Sequence, residues 1–184
     1  MTSDQLPQLY VGVDGGGTKC RAICVDVDGN ILGEGLAGPG NPLQGEERAK
    51  QSIQDSIINA LSAAGYTKYP LNQLIVGMGL AGVNMAEGMR MMTGWRHPYR
   101  RCHIATDIEI AQLAAQSGKD GAIIICGTGS VGYANVGGKV VNVGGQGFPV
   151  ADVGSGAWFG LEAVKQTLLE LDGAVPKSVV GAYV

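Results

Sequence analysis

The stretch VGVDGGGTK at residues 11–19 decides the fold. An apolar, β-forming run over residues 9–14 breaks at three consecutive glycines, and a second β-forming run follows over residues 20–27. Asp28-Gly29-Asn30 is a strong turn signal ahead of a third short run at residues 31–32. The pattern therefore predicts three strands joined by tight turns, an antiparallel meander whose first turn is rich in glycine.

The chain then alternates between helix and strand patterns. Residues 46–64 carry apolar side chains at four-residue spacing, as an amphipathic helix does, and Gly65 follows in the position of a C-terminal cap. The further predicted elements are strands at 74–80 and 102–106 and helices at 85–92 and 107–116. This βββαβαβα-type order predicts an α/β domain with a mixed sheet over residues 1–118.

The meander pattern reappears later in the chain. The predicted elements are strands at 122–126, 131–136 and 139–143 and a helix at 154–171. Two meanders with glycine-rich first turns indicate an internal repeat of about 110 residues. Residues 119–184 are accordingly predicted to be the first part, three strands and a helix, of a second copy of the fold. The two turns are expected to line a cleft between the copies.

The first turn has the composition of a phosphate-binding loop. Its three glycines remove every Cβ, so backbone N–H groups can approach phosphate oxygens, while Thr18 and Lys19 add a hydroxyl and a cation. Asp14, at the end of the first strand, suits a Mg²⁺ ion that keeps several of its waters. A glycine-rich hairpin with a solvated Asp and Lys accounts for the same residues, and both interpretations stay open.

Two further features have matching chemistry. The second turn, Gly127-Thr128-Gly129-Ser130, repeats the composition and the strand-to-strand placement of the first, and a hairpin without a ligand is the alternative. Asp107 lies at the joint between a predicted strand and a predicted helix. There it fits the N-cap of the helix, and it also fits a general base that takes a proton from an attacking hydroxyl.

Composition narrows the function classes. A net charge of -3 gives no broad electrostatic reason to bind nucleic acid or an anionic membrane. The first residues lack the pattern of a signal peptide, and no run is long enough to cross a membrane, which predicts a cytoplasmic protein. The four cysteines include no CxxC pair, so we expect buried free thiols, with a metal or iron–sulfur site as the alternative.

Four ordered motifs carry a resemblance to a known family. VGVDGGGTK, ATD at 105–107, CGTGS at 126–130 and GGQGFPVADVGSGAWFG at 144–160 resemble the BadF/BadG/BcrA/BcrD ATPase family, and within it the glucosamine and N-acetylglucosamine kinases. The resemblance implies the ribonuclease H-like fold of actin-like ATPases. It also implies ATP and Mg²⁺ as cofactors, and transfer of the γ-phosphate to the 6-hydroxyl of an amino sugar.

The resemblance also assigns roles to individual residues. It implies that Asp107 is the catalytic base and that Asp14 lies near the metal. The residues that resemble the two phosphate loops are Gly16, Gly17, Thr18, Lys19, Gly127, Thr128, Gly129 and Ser130. Asn41, Gly82 and Asp152 resemble sugar ligands. From the residues alone, a turn is the better interpretation of Asn41, and a cap near the last helix is an alternative for Asp152.

Two departures from the family pattern concern the sugar. Ala81-Gly82 stands where N-acetylglucosamine kinases usually carry Ser-Gly, so one hydroxyl contact is missing. ADVGS at 151–155 stands where they tend to show GDEGS. The GLAGVN run at 79–84 slightly favours glucosamine over its acetylated form. The sugar stays open between the two.

Length is the largest departure. Family members have a complete second domain, so a chain of 184 residues is expected to be truncated, with its activity in doubt. Apolar side chains such as Val164, Leu168 and Leu171 are then expected to be exposed and to favour association, and a homodimer is one such state.

Two other functions compete with a sugar kinase. One is an ATP-driven activator of an acyl-CoA dehydratase or reductase, which passes electrons through a cysteine-ligated iron–sulfur cluster. Cys126 fits a cluster ligand, but no second cysteine follows it. The other is a non-catalytic sugar sensor, and the presence of both Asp14 and Asp107 counts against it.

Overall fold

The computed structural model describes residues 6–183, which form two compact units divided between Ile110 and Ala111. The division falls inside a helix, whereas the sequence places a domain boundary after residue 118. That boundary stays a prediction. Within residues 6–183, none of the helices combines the length and apolar character that crossing a bilayer requires.

The first unit is built on a five-stranded mixed sheet. Its strands are β1 (Tyr10–Gly15), β2 (Cys20–Val25), β3 (Ile31–Ala37), β4 (Ile75–Leu80) and β5 (Arg101–Thr106). They lie in the order β3-β2-β1-β4-β5. The first three strands are antiparallel, as the meander pattern predicts, and β1, β4 and β5 run parallel.

Three helices accompany this sheet: α1 (Glu46–Ala63), α2 (Ala86–Thr93) and α3 (Asp107–Ala115). The α1 helix packs on β3 through two glycines that bring backbone against backbone. A Cβ at Gly35 would collide with the Ser56 carbonyl oxygen, and one at Gly33 would meet the Ala63 carbonyl carbon at 2.9 Å. Gly65 follows α1 with φ +83°, which confirms the predicted C-terminal glycine.

Strand alternation separates the core from the site. In β1, Val11 and Val13 are buried with the core residues of α1, whereas Asp14 points to the exposed face at the strand end. The core continues through fully buried side chains of β2, α1 and β4: Cys20, Ala22, Ile53, Ile57, Val76 and Met78. The alternation therefore presents the Asp14 carboxylate to solvent one residue before the glycine turn.

The second unit is a three-stranded antiparallel meander followed by a helix. Its elements are β6 (Gly121–Cys126), β7 (Ser130–Val136), β8 (Lys139–Gly144) and α4 (Gly156–Leu171). Gly137 and Gly138, with φ of 57° and 75°, form the predicted hairpin turn. The predicted exposure of apolar side chains is confirmed at Leu168 and Leu171, which are 56% and 77% exposed.

Candidate active site

The first glycine turn is held closed by its own backbone. The Gly16 N–H donates to the Lys19 carbonyl at 2.9 Å, and the Gly16 carbonyl accepts from the Gly40 N–H at 2.9 Å. The next three N–H groups, those of Gly17, Thr18 and Lys19, have no acceptor among residues 6–183. Consecutive unpaired N–H groups at a tight turn are a donor set suited to an anion such as phosphate.

Gly16 in this turn and Gly40, which packs against it from the segment after β3, have different roles. A Cβ at Gly40 would collide with the Cys20 sulfur and lie 2.9 Å from the Gly15 Cα, so that glycine permits a backbone-to-backbone contact. A Cβ at Gly16 would meet only the Lys19 carbonyl oxygen, at 3.7 Å. Gly40 is therefore required by packing, whereas Gly16 leaves open space at the tip of the turn.

Asp14 has neither a hydrogen bond nor an ion pair within the described part of the chain. The pKa of the neighbouring Cys20 thiol is raised to about 11, first by burial and then by the negative charge of Asp14. Cys20 is therefore a neutral thiol at neutral pH. The Asp14 carboxylate is free to bind a cation from solvent, and a single exposed carboxylate fits Mg²⁺, which retains most of its waters.

The strand ends bring several predicted site residues to one edge of the first sheet. Gly15, Leu80 and Thr106 are register partners across β1, β4 and β5. The glycine turn, Gly82 and Asp107 follow directly after these positions. Because parallel strands end together at one edge, the structure gathers residues that lie far apart in the sequence.

At the start of α3, the structure overturns one of the two interpretations of Asp107, namely that its side chain caps the helix. The Thr106 Oγ1 accepts from the Glu109 N–H at 3.2 Å, and the Glu109 Oε2 accepts from the Thr106 N–H at 2.6 Å. This is a capping box, with Thr106 as the cap. Asp107 is instead the first helical residue, so its side chain is not needed to cap the N-terminus of the helix.

The Asp107 side chain is exposed and takes part in one hydrogen bond within the described residues. Its Oδ1 accepts from the Ile108 N–H at 2.9 Å. Across residues 6–183 its Oδ2 receives no hydrogen bond and pairs with no cation. The Ile110 side chain of α3 packs against β4 at Gly79, where a Cβ would collide with it. Asp107 thus presents, from the first position of α3, one carboxylate oxygen that has no partner in the described residues.

Asn41 and Gly82 are neighbours in the structure. The Asn41 Oδ1 accepts from the Leu43 N–H at 2.9 Å and caps the single turn Pro42–Gln44, so the turn interpretation is confirmed for that oxygen. A Cβ at Gly82, where φ is +86°, would collide with the same oxygen. The Asn41 Nδ2 donates to nothing in the described residues, so it remains available to a ligand.

The second glycine turn, in the other unit, closes in a similar way. The Gly127 N–H donates to the Gly129 carbonyl at 2.9 Å, and the Gly127 carbonyl accepts from the Gly156 N–H at 2.8 Å. The N–H groups of Thr128 and Gly129 have no acceptor among residues 6–183. The Ser130 hydroxyl donates to the Val153 carbonyl at 3.0 Å, so its proton is not available to a ligand in this arrangement.

Asp152 lies against this second turn. Its side chain is buried, at 9% exposure, and its Oδ1 has no partner among the described residues. Its backbone has φ +62°, a strained conformation for a residue other than glycine. A Cβ at Gly129 would lie 2.9 Å from its Oδ2. A buried carboxylate oxygen without a donor is costly, which points to a ligand that supplies one.

The predicted alternative role of Asp152, as the cap of the last helix, is wrong. Ser155 is the cap of α4, since its Oγ accepts from the Trp158 N–H at 3.2 Å. The capping box of α3 was missed as well, although the Thr-x-x-Glu pattern at 106–109 signals it. The presence of Asp107 inside that pattern, itself a good cap, hid the signal.

Comparisons with known proteins identify the family to which the chain belongs. The sequence model of the BadF/BadG/BcrA/BcrD ATPase family matches residues 11–182. Over 167 residues the chain is 41% identical to the glucosamine kinase GspK of Vibrio cholerae serotype O1, covering 91% of this chain and 57% of that protein. It is 28% identical to an N-acetylmuramic acid/N-acetylglucosamine kinase of Clostridium acetobutylicum, covering 94% of this chain and 58% of that one.

A solved structure from Chromobacterium violaceum, described provisionally as an N-acetylglucosamine kinase, superposes with a TM-score of 0.83 at 32% identity. The match covers 95% of this chain and 61% of that one. The likeness confirms the predicted actin-like ATPase fold class. The chain spans less than two thirds of the length of these relatives.

Proposed function

Since the chain belongs to the BadF/BadG/BcrA/BcrD ATPase family, we propose that the protein is an ATP-dependent kinase of an amino sugar. The observation that carries the proposal is the free Oδ2 of Asp107, held at the start of a helix that another residue caps. A phosphotransferase needs one positioned base and several groups that neutralise phosphate charge. The first unit contains both kinds of group.

In this proposal each glycine turn is a phosphate-binding loop within its own unit, and ATP is the ligand. The unpaired N–H groups of Gly17, Thr18 and Lys19 donate to phosphate oxygens, and the Lys19 ammonium adds a positive charge. The N–H groups of Thr128 and Gly129 donate in the same way from the second turn. Gly16 and Gly127 contribute by closing the turns, and Ser130 by fixing its turn to Val153.

Asp14 is proposed to hold Mg²⁺. The proposal is supported by an exposed carboxylate that has no other partner in the described residues and lies beside a turn with free donors. When bound, Mg²⁺ neutralises charge on the phosphate oxygens. The contribution of the chain is to hold one carboxylate at the strand end, where the metal can keep most of its waters.

Asp107 is proposed to take the proton of the sugar 6-hydroxyl. As the hydroxyl oxygen forms its bond to the γ-phosphorus, the bond from that phosphorus to the β-phosphate oxygen breaks, and ADP leaves. The proton passes to the Asp107 Oδ2, which accepts nothing else among residues 6–183.

Asn41, Gly82 and Asp152 are proposed to orient the sugar. The Asn41 Nδ2 supplies a donor, and the buried Asp152 Oδ1 accepts from a sugar hydroxyl. Gly82 leaves the room beside Asn41 that a side chain would fill. Among amino sugars we favour glucosamine, because the glucosamine kinase of Vibrio cholerae shares 41% identity with this chain.

The partners in this proposal are ATP and the sugar, in the cytoplasm, with no nucleic acid or membrane. The net charge of -3 supports that part. A homodimer is the assembly proposed, on the strength of the exposed apolar side chains of α4.

A coupled ADP-release assay with ATP and Mg²⁺ tests the proposal. It compares glucosamine, N-acetylglucosamine, glucose and no sugar, with GspK of Vibrio cholerae as the positive control. We expect turnover with an amino sugar that falls at least about 100-fold in Asp107→Asn, since a general base contributes on that order. Asp55→Asn is the matched control and should keep its activity, since Asp55 is a half-buried residue of α1 whose Oδ1 accepts from the Gln51 Nε2 at 2.8 Å.

ATP hydrolysis that ignores every sugar would contradict a kinase. That outcome would favour an ATP-driven activator of an acyl-CoA dehydratase or reductase, for which the exposed Cys126 beside the second turn is the relevant feature.

A further inference from the structure

We propose that Thr106 and Glu109 are positioning residues. By capping the N-terminus of α3 themselves, they keep the Asp107 carboxylate from serving as the cap and leave it available to the reacting hydroxyl. The role of Asp107 rests on the function proposed above. The position of its carboxylate does not, and it can be measured separately.

The two residues form a closed set of three hydrogen bonds. The Thr106 N–H and the Thr106 hydroxyl both donate to the Glu109 Oε2, at 2.6 and 2.9 Å. The Glu109 N–H donates back to the Thr106 Oγ1 at 3.2 Å. The set occupies the Glu109 N–H, which is the donor at the third position of the helix.

That occupied donor matters because Asp107 is itself a strong capping residue. An aspartate at a helix start accepts from N–H groups two or three positions ahead when it serves as the cap. If Thr106 released the cap, the helix could begin one residue later with Asp107 as its cap. The carboxylate would then turn toward the Glu109 and Ile110 N–H groups and away from a substrate.

The structure shows which of these two states is present. The Asp107 Oδ1 accepts from the Ile108 N–H, the immediate neighbour, and from no N–H further along the helix. The Ile108 N–H therefore reports the position of the carboxylate. Further along the helix, the Ile110 side chain packs against β4 at Gly79, a contact that does not involve the capping residues.

Thr106→Val is the decisive variant, because it removes the hydroxyl and keeps the β-branched shape. Thr106→Ser restores the hydroxyl, and Glu109→Gln keeps an oxygen acceptor. Thr93→Val is the matched control, since the Thr93 hydroxyl donates to the Met89 carbonyl at 2.8 Å at the far end of another helix of the same unit. All variants are made in the 184-residue chain.

The first readout is amide hydrogen exchange at Ile108 by NMR, which needs no activity. We expect exchange to rise at least about tenfold in Thr106→Val, and to stay within about twofold of the parent chain in Thr106→Ser and Thr93→Val. Unchanged exchange at Ile108 in Thr106→Val would overturn the proposal, whatever the kinetics.

The second readout is steady-state kinetics on the sugar identified by the ADP-release assay. In Thr106→Val we expect kcat to fall at least about tenfold, with KM for ATP and sugar within about twofold, because misplacing a base affects the chemical step. An equal loss of kcat in Thr93→Val would indicate general destabilisation and overturn the proposal. If no chain turns over any sugar, the proposed function fails, and exchange at Ile108 still decides the positioning role.

Discussion

The two glycine turns close in the same way and differ in the carboxylate beside them. In each turn the N–H of one glycine, Gly16 or Gly127, bonds within the turn, and the next N–H groups have no acceptor in the described part of the chain. Asp14, beside the first turn, is exposed. Asp152, beside the second, is buried in a strained backbone conformation, and its Oδ1 has no partner among the residues that the structure describes. The turns are alike, and their acidic neighbours have opposite environments.

This difference indicates two kinds of ligand. A solvated carboxylate can bind a hydrated cation without first losing its own water. A buried carboxylate loses its water when the protein folds, so binding a ligand requires no further desolvation of that group. It can therefore favour a ligand whose hydrogen-bond donor lies at one defined position. Both turns are suited to phosphate, and the acidic neighbours decide what else each unit binds.

The largest expected effect concerns Asp14. We expect Asp14→Asn to lower kcat about 100-fold, as loss of a charge-neutralising group commonly does. The free energy of unfolding should stay within about 0.5 kcal/mol, because the side chain is exposed and has no partner among residues 6–183. ADP-release kinetics over a Mg²⁺ titration and urea unfolding measure the two quantities. Full activity in Asp14→Asn would contradict the proposal that Asp14, unlike Asp152, binds a cation.

A pair of glycine variants separates packing from binding at the first turn. We expect Gly40→Ala to destabilise the chain by about 3 kcal/mol, since the new Cβ meets the Gly15 backbone at 2.9 Å. Gly16→Ala should cost less than about 1 kcal/mol and should weaken ATP binding, because its Cβ would enter the open space at the tip. Urea unfolding and ATP titration calorimetry distinguish the two. Equal stability losses would contradict separate roles.

The smallest effect concerns the strain at Asp152. Ser117, with φ +52°, is the other described non-glycine residue of positive φ, which makes Ser117→Gly a matched control for Asp152→Gly. Both variants relieve similar backbone strain and gain similar freedom in the unfolded chain. We expect Asp152→Gly to be the more stabilising of the two by about 1 kcal/mol, because it also removes an unpartnered buried carboxylate. Thermal unfolding measures the difference in stability between the two variants. An equal gain would mean that the unpartnered carboxylate of Asp152 does not destabilise the chain.

Much of the fold follows from local signals in the sequence. The strands around both turns, the helix ended by Gly65 and the hairpin at Gly137 and Gly138 depend on residue type and spacing within a few positions. The same applies to Asp14, whose exposure follows from the alternation of β1. Such features are set by neighbouring residues, so a single sequence contains them.

The remainder depends on distant contacts. The approach of Gly40 to Gly15, and of Gly82 to Asn41, joins loops that the sequence separates, and only the folded sheet edge brings them together. The burial of Asp152 likewise depends on what surrounds it. At Thr106 a local signal was present but competed with Asp107, because two adjacent residues can each cap the same helix.

The backbone contact between β3 and α1 has a mechanical consequence. With no side chains between Gly33 or Gly35 and the helix, backbone lies directly against backbone, so the strand and the helix cannot move closer together. The connecting segment, residues 38–45, is therefore anchored at both ends to one rigid pair. A displacement of Gly40 and Asn41 on ligand binding would therefore change the conformation of the segment itself or move the strand and the helix together.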